Sequence, residues 1–141
     1  MKIAIIVPMA EEAEFYRDHF HAETKEMFGS TEFEHFSVNG NDVYLGLSGI
    51  GKVNAAMNLT SLLTKEKIDV IFMTGSAGSL QDDVHRKDVI LVNDFAYHDA
   101  HCVSAGEYVE GQIPREPATF KLNSPEREAF KKYLGEEDVD F

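Results

Sequence analysis

Two glycine-rich turns, Ser48-Gly49-Ile50-Gly51-Lys52 and Thr74-Gly75-Ser76-Ala77-Gly78-Ser79, each follow an apolar run, and they constrain the fold of this chain more than anything else in it. A continuous apolar run suits a strand buried on both faces, and glycine lets the backbone turn sharply at its end. Ile3 to Val7 is a further run of this kind, closed by Pro8 and followed by Met9-Ala10-Glu11-Glu12. Helical spacing comes next in two places. Glu11 to Phe20 puts Ala13, Tyr16 and Phe20 on one side, and Val53 to Lys65 directs Val53, Ala56, Leu59, Leu62 and Leu63 at a core. Strands alternating with helices predict an α/β fold. Such sheets bind small molecules beyond the carboxyl ends of their strands, and here those ends carry backbone amides, a hydroxyl and a carboxylate.

The rest of the chain extends this pattern. Glu32 to Val38 alternates with period two, as a half-exposed strand does, and Asn39-Gly40 is a hairpin signal leading back through Val43-Tyr44-Leu45. Val70 to Met73 and Val89 to Val92 read as two more buried strands. From Ala100 to Ala118 the composition turns to Gly, Pro and polar residues, which predicts a long functional loop. Ser124 is placed to cap a last helix with Pro125 at its first position and Gly135 at its end. Glu136 to Phe141 then reads as the approach to another strand.

At 141 residues and 43% hydrophobic, the chain is sized for a single domain over 1–141. Thirteen basic residues against 25 acidic ones give a net charge of −12, which repels nucleic acid and anionic lipid and argues against both as partners. The lone cysteine, Cys102, allows no internal disulfide and suits a reducing compartment. The apolar start is too short for a signal peptide, and no stretch approaches the ~20 apolar residues of a membrane helix. These features predict a cytoplasmic protein.

Three constellations invite chemical readings. Gly46-x4-Gly51-Lys52 has the spacing of a phosphate-binding loop, but Val53 stands where that loop needs a hydroxyl for magnesium, so ATPase chemistry is rejected. A tight turn, or close approach of backbone to a neutral ligand, accounts for these glycines. His98-Asp99-Ala100-His101-Cys102 holds nitrogen, oxygen and sulfur, yet no second cluster at metal spacing accompanies it, and a polar strand end is the simpler reading. No metal is expected. Glu11, Glu12 and Glu14 open the first helix, where acidic residues complement the helix dipole without further purpose. Glu12, just past a buried strand, is also placed to turn a carboxylate toward the ligand crevice while its neighbours face water.

Met9-Ala10-Glu11-Glu12, Ser48-Gly49-Ile50-Gly51-Lys52-Val53, Thr74-Gly75-Ser76-Ala77-Gly78, Tyr97-His98-Asp99-Ala100 and Gly111-Gln112-Ile113-Pro114 occur in this order. Together they resemble bacterial 5′-methylthioadenosine/S-adenosylhomocysteine nucleosidase, of the nucleoside phosphorylase superfamily. The resemblance implies a twisted, mixed central sheet flanked by helices, working as a homodimer without a cofactor. It implies hydrolysis of an N-glycosidic bond in an adenine nucleoside, releasing adenine and a thioribose, in methionine salvage. By motif position it implies Glu12 as the base that activates water and Ser76 as a holder of that water. Ala77 and Gly78 would line the base pocket, Met9 and Ile50 would pack on the sugar and its 5′-substituent, and Cys102, Ala105 and Pro114 would close the 5′ pocket of a partner subunit.

A purine nucleoside phosphorylase is the nearest rival. Relatives of that kind bind phosphate through an arginine shortly before the second glycine turn, where this chain has Met73 and Thr74. Futalosine and AMP nucleosidases are further related hydrolases. The family departs from this sequence at Pro8, usually a small residue, and in length. It continues past residue 141 into the strands that carry a ribose-gripping Met-Glu pair and the aspartate that protonates adenine. The expectation is therefore the amino-terminal portion of a nucleosidase, inactive or nearly so by itself, or else a non-catalytic remnant that binds nucleosides or pairs with a full-length subunit.

Overall fold

The computed structural model describes residues 1–134, and the chain divides into two compact units, Met1–Leu80 and Gln81–Phe141. The expected helix stop at Gly135 and the strand approach over 136–141 lie outside the described residues.

The first unit is a five-stranded mixed sheet. Its strands are β1 (Lys2–Val7), β2 (Thr24–Phe28), β3 (Thr31–Val38), β4 (Asn41–Leu47) and β5 (Val70–Met73), in the order β2-β3-β4-β1-β5. β2, β3 and β4 form an antiparallel meander, because short hairpins join them. Asn39 and Gly40 both take positive φ, 50° and 76°, the twist a two-residue hairpin needs and one that Asn and Gly supply at least cost. β1 pairs in parallel with β4 on one side and β5 on the other. Helix α2 (Lys52–Leu63) makes the crossover from β4 to β5, and α1 (Ala10–His19) follows β1.

Side chains alternate across a strand, so each helix receives one face of the sheet. Ala4, Ile6, Phe28, Phe33 and Tyr44 pack with Leu59, Leu62 and Ile68 on the α2 side. Ile3, Ile5, Val7, Phe36, Val43 and Leu45 pack with Ala13, Tyr16 and Phe20 on the α1 side. Each large side chain buried this way stabilises the fold by about 1.5–3 kcal/mol. Phe28 stands edge-on to Phe33 at 5.4 Å, and Phe20 stacks on Phe36 at 5.3 Å. Gly46 of β4 lies directly opposite Phe33, and a methyl group added there would stand inside the Phe33 ring.

Several local expectations change in three dimensions. β3 is covered on both faces, since Phe33, Glu34 and Phe36 are all buried; Glu34 tolerates this because Arg17 of α1 donates to its Oε1 from Nε at 2.9 Å. α2 buries Leu62 and half-buries Leu59, but Val53, Ala56 and Leu63 are exposed, and Asn58 is buried in their stead. β5 is an edge strand of this sheet among the described residues, so Ile71 and Met73 are exposed rather than enclosed. β2 carries four exposed residues in five, which hid it from any reading of apolar runs.

In the second unit, Val89 to Val92 forms no strand, and Val89, Ile90 and Val92 are exposed. An apolar run becomes a strand only where another backbone lies alongside to pair with it. Among the described residues the ladder here is β6 (Asp94–Phe95) with β7 (Phe120–Lys121), and Phe95 stacks on Phe120. α3 (Pro125–Leu134) starts as expected, with Ser124 Oγ accepting the Arg127 amide at 3.1 Å. The Arg127 side chain then donates from Nε to Val92 O and meets Asn93 Oδ1. The long loop holds one 3₁₀ turn, Val103–Ala105, and is cinched where the Gly111 amide donates to Ala100 O at 3.0 Å.

Overpacking at Gly46 gives a direct check of the α2-side core. Gly46→Ala is expected to lower stability in urea by about 1–3 kcal/mol, as added methyls in a filled core do. Phe33→Leu in the same chain should recover part of that loss, and a fully stable Gly46→Ala chain would contradict the packing described.

Candidate functional site

Parallel pairing of β1 with β4 and β5 brings three carboxyl-terminal strand ends to one edge of the sheet. Val7 lies level with Leu47, and Ile6 with Met73. The segments that follow start side by side, held by the Ser48 amide on Val7 O at 2.8 Å and the Thr74 amide on Ile6 O at 3.1 Å. Met9, Ile50 and Ser76 thus leave adjacent strand ends, as the spacing of the turns predicts.

Glu12 occupies the third position of α1, one turn into the helix, so its carboxylate reaches back over the helix start. Oε2 accepts the Met9 amide at 3.0 Å, half of a capping box. Oε1 accepts both the Ser76 amide at 2.7 Å and the Ser76 hydroxyl at 2.8 Å. The Ser76 amide, the Ser76 hydroxyl and the Met9 amide hold the Glu12 carboxyl below the usual carboxylate range, against a smaller opposing effect of burial. Glu11 and Glu14 are exposed while Glu12 is half-buried. A carboxylate held this way stays ionised at neutral pH, the form in which it can orient a water, face positive charge and accept a proton.

Two supports of this arrangement lie outside the sequence-based candidates. Tyr16 sits one turn after Glu12 on the same helix face, and its hydroxyl meets Thr74 Oγ1 at 2.9 Å, tying α1 to the end of β5. The four-residue spacing of Glu12 and Tyr16 was the available signal. Gly75 provides room, since a Cβ there would lie 3.0 Å from Glu12 Oε1 and 3.2 Å from Pro8 Cδ.

The remaining candidates divide between the two units. Ser76, Ala77 and Gly78 are exposed, Met9 is half-buried, and Ile50 is 72% exposed on its turn. A cavity of about 460 Å³ shares Pro8, Leu47, Ser48 and Gly49 with this edge and extends away from it along β3, past Arg17, Glu32 and Glu34, without reaching Glu12 or Ser76. In the second unit Cys102 is half-buried, Pro114 is exposed, and residue 105 ends the 3₁₀ turn. His101 there contacts Glu110, and among the described residues no three His, Cys, Asp or Glu side chains converge as a metal set. No helix of the described residues is long and apolar enough to cross a membrane.

A sequence profile of the phosphorylase superfamily matches residues 2–141. A 5′-methylthioadenosine/S-adenosylhomocysteine nucleosidase of Bacillus licheniformis is 39% identical over 124 residues, which are 88% of this chain and 53% of that protein. The crystal structure of the Neisseria meningitidis nucleosidase of the same name, in complex with methylthio-immucillin-A, superposes with a TM-score of 0.86 at 32% identity; the match covers 94% of this chain and 57% of that one. The S. pneumoniae structure with a transition-state inhibitor reaches 0.88 at 29% identity, covering 99% and 60%. The chain spans about half the length of the curated relatives it matches.

The Glu12 network has a pH signature. A carboxyl held low in the folded state contributes stability above its unfolded value of about 4.3, and that contribution fades as pH falls through the lower folded value. The urea midpoint of the wild type should therefore exceed that of Glu12→Gln at pH 7, and the gap should shrink below about pH 4.3. A gap that stays constant from pH 7 to pH 2.5 would show that Glu12 is not held ionised by Ser76 and Met9.

Proposed function

Because the chain belongs to the phosphorylase superfamily, we propose that its three strand ends form the water-activating side of an N-glycosyl hydrolase acting on 5′-methylthioadenosine and S-adenosylhomocysteine. The observation that carries the reading is the convergence of the Ser76 amide and hydroxyl on one oxygen of Glu12. Departure of adenine leaves an oxocarbenium-like ribosyl cation, and a fixed carboxylate beside it lowers the barrier by opposing that charge. Glu12 orients the attacking water and receives its proton as the new C–O bond forms. Ser76 gives its hydroxyl hydrogen to Glu12 and so keeps oxygen lone pairs free to hold the same water. The exposed Ala77 and Gly78 are assigned to the purine, and Met9 and Ile50 to the sugar and its apolar 5′-thio group.

The proton that lets adenine leave neutral is assigned to a group beyond these three strand ends, so the 141 residues alone are expected to bind the nucleoside and turn it over slowly if at all. Cys102, Ala105 and Pro114 are assigned to the 5′ pocket of a partner subunit in a homodimer, and the protein to the cytoplasm and methionine salvage. Water is favoured over phosphate as nucleophile because Met73 and Thr74 precede the Gly75 turn, with the Thr74 hydroxyl already engaged by Tyr16.

Adenine release from methylthioadenosine, followed by chromatography with and without phosphate, tests the reading. Any release is expected to be independent of phosphate and to fall by at least about 100-fold in Glu12→Gln. Release that requires phosphate, or that Glu12→Gln leaves intact, would overturn it. In a chain that releases nothing, methylthioadenosine binding by calorimetry is the expected residue of function, and absence of binding would overturn the assignment.

A further inference from the structure

A primary amide buried in an apolar setting costs stability unless both its ends are hydrogen-bonded. Asn58 of α2 is 2% exposed, on the same inward face as Leu62, where helical spacing calls for an apolar residue. Its Nδ2 donates to Leu47 O at 3.4 Å, while its Oδ1 has no partner. Flipping the amide would set Oδ1 against the Leu47 carbonyl, acceptor against acceptor, so the contact to Leu47 fixes its orientation. An aliphatic residue there would avoid the cost of the orphaned oxygen. Asn58 is therefore best explained by what it holds, and Leu47 O is the last carbonyl of β4, immediately before the turn over 48–51.

One helical turn earlier, Asn54 Nδ2 donates to Ile50 O at 2.8 Å. The two amides thus hold the carbonyl just before the turn and one within it, both from the helix that follows. The turn needs such a grip: Ile50 stands between Gly49 and Gly51, whose φ values of 77° and 103° only glycine adopts freely. The Ser48 hydroxyl holds Gly49 O at 3.0 Å, and the Asn54 amide holds the carbonyl of Ile50 itself.

We propose that Asn58 and Asn54 are positioning residues that set where Ile50 stands, and through it the preference of the site for a nucleoside with an apolar 5′-thio group. The inference rests on the nucleosidase reading above and adds to it a pair of residues that contact no substrate. Calorimetric titration of the full chain with adenine and with methylthioadenosine separates the two ideas, since adenine lacks the sugar and the 5′ group. Asn54→Ala is expected to weaken methylthioadenosine about three- to tenfold, the loss of one hydrogen bond's net contribution, and to leave adenine affinity within about twofold. Asn58→Leu, which keeps the volume, should shift the same ratio. Asn54 lies on an exposed first helical turn, so its variant carries the test if Asn58→Leu does not fold. An unchanged ratio of the two affinities in Asn54→Ala, whether both hold or both fall, would overturn the positioning role and leave the nucleosidase reading standing. A wild-type chain that binds neither ligand would overturn both.

Discussion

Parallel pairing on both sides of β1 is the constraint from which the site follows. Parallel neighbours end at the same edge of a sheet, so Val7, Leu47 and Met73 stop together and their successors emerge within hydrogen-bonding reach. An antiparallel β1–β5 pair would send Ser76 to the opposite edge from Glu12. The crossover helix α2 makes the parallel arrangement possible, and α1 returns over the other face with Glu12 and Tyr16 directed at the end of β5. The backbone also uses this edge fully: Val7 O and Ile6 O accept amides from the two segments that start there.

Charge is placed economically around this edge. Glu34, buried on the α1 face, is matched by Arg17, whose Nη2 lies 2.7 Å from its carboxylate. A buried carboxylate without such a partner costs several kcal/mol on the order given by ion desolvation. Glu12 is handled differently. It takes three neutral donors, two from Ser76 and one from Met9, so its negative charge is stabilised but not cancelled. A carboxylate paired to a cation has little field left for a positively charged transition state. One held by amides and a hydroxyl keeps its field, as the proposed glycosidic bond cleavage requires.

Helix α2 shows where periodicity misleads. Leu59 and Leu62 face the core as their spacing predicts, but Val53, Met57 and Leu63 are exposed and Asn58 is buried. Hydrophobic spacing reports which residues a helix can bury, while the sheet it packs on decides which of them it does bury. Asn58 donates to Leu47 O at the strand end, and the exposed Asn54 donates to Ile50 O in the turn that follows. Val89 to Val92 failed as a strand for a related reason, since no backbone among the described residues pairs with it, whereas β2 exists despite its polar residues because β3 does pair with it.

Much of the site was legible because its signals are local. The turn at Asn39-Gly40, the strand at Ile3 to Val7, the cap at Ser124 and the position of Glu12 at a helix start each depend on residues close together in the chain. By itself the sequence determined those turns, caps and apolar strands, and with them the α/β class and the strand ends from which the proposed site is built. Only the tertiary structure decided that Glu12 meets Ser76, 64 residues away, that Tyr16 meets Thr74, and that α2 turns Asn58 inward. Those contacts depend on strand order and register, which arise when distant segments compete for the same backbone partners, and no local pattern records the outcome of that competition.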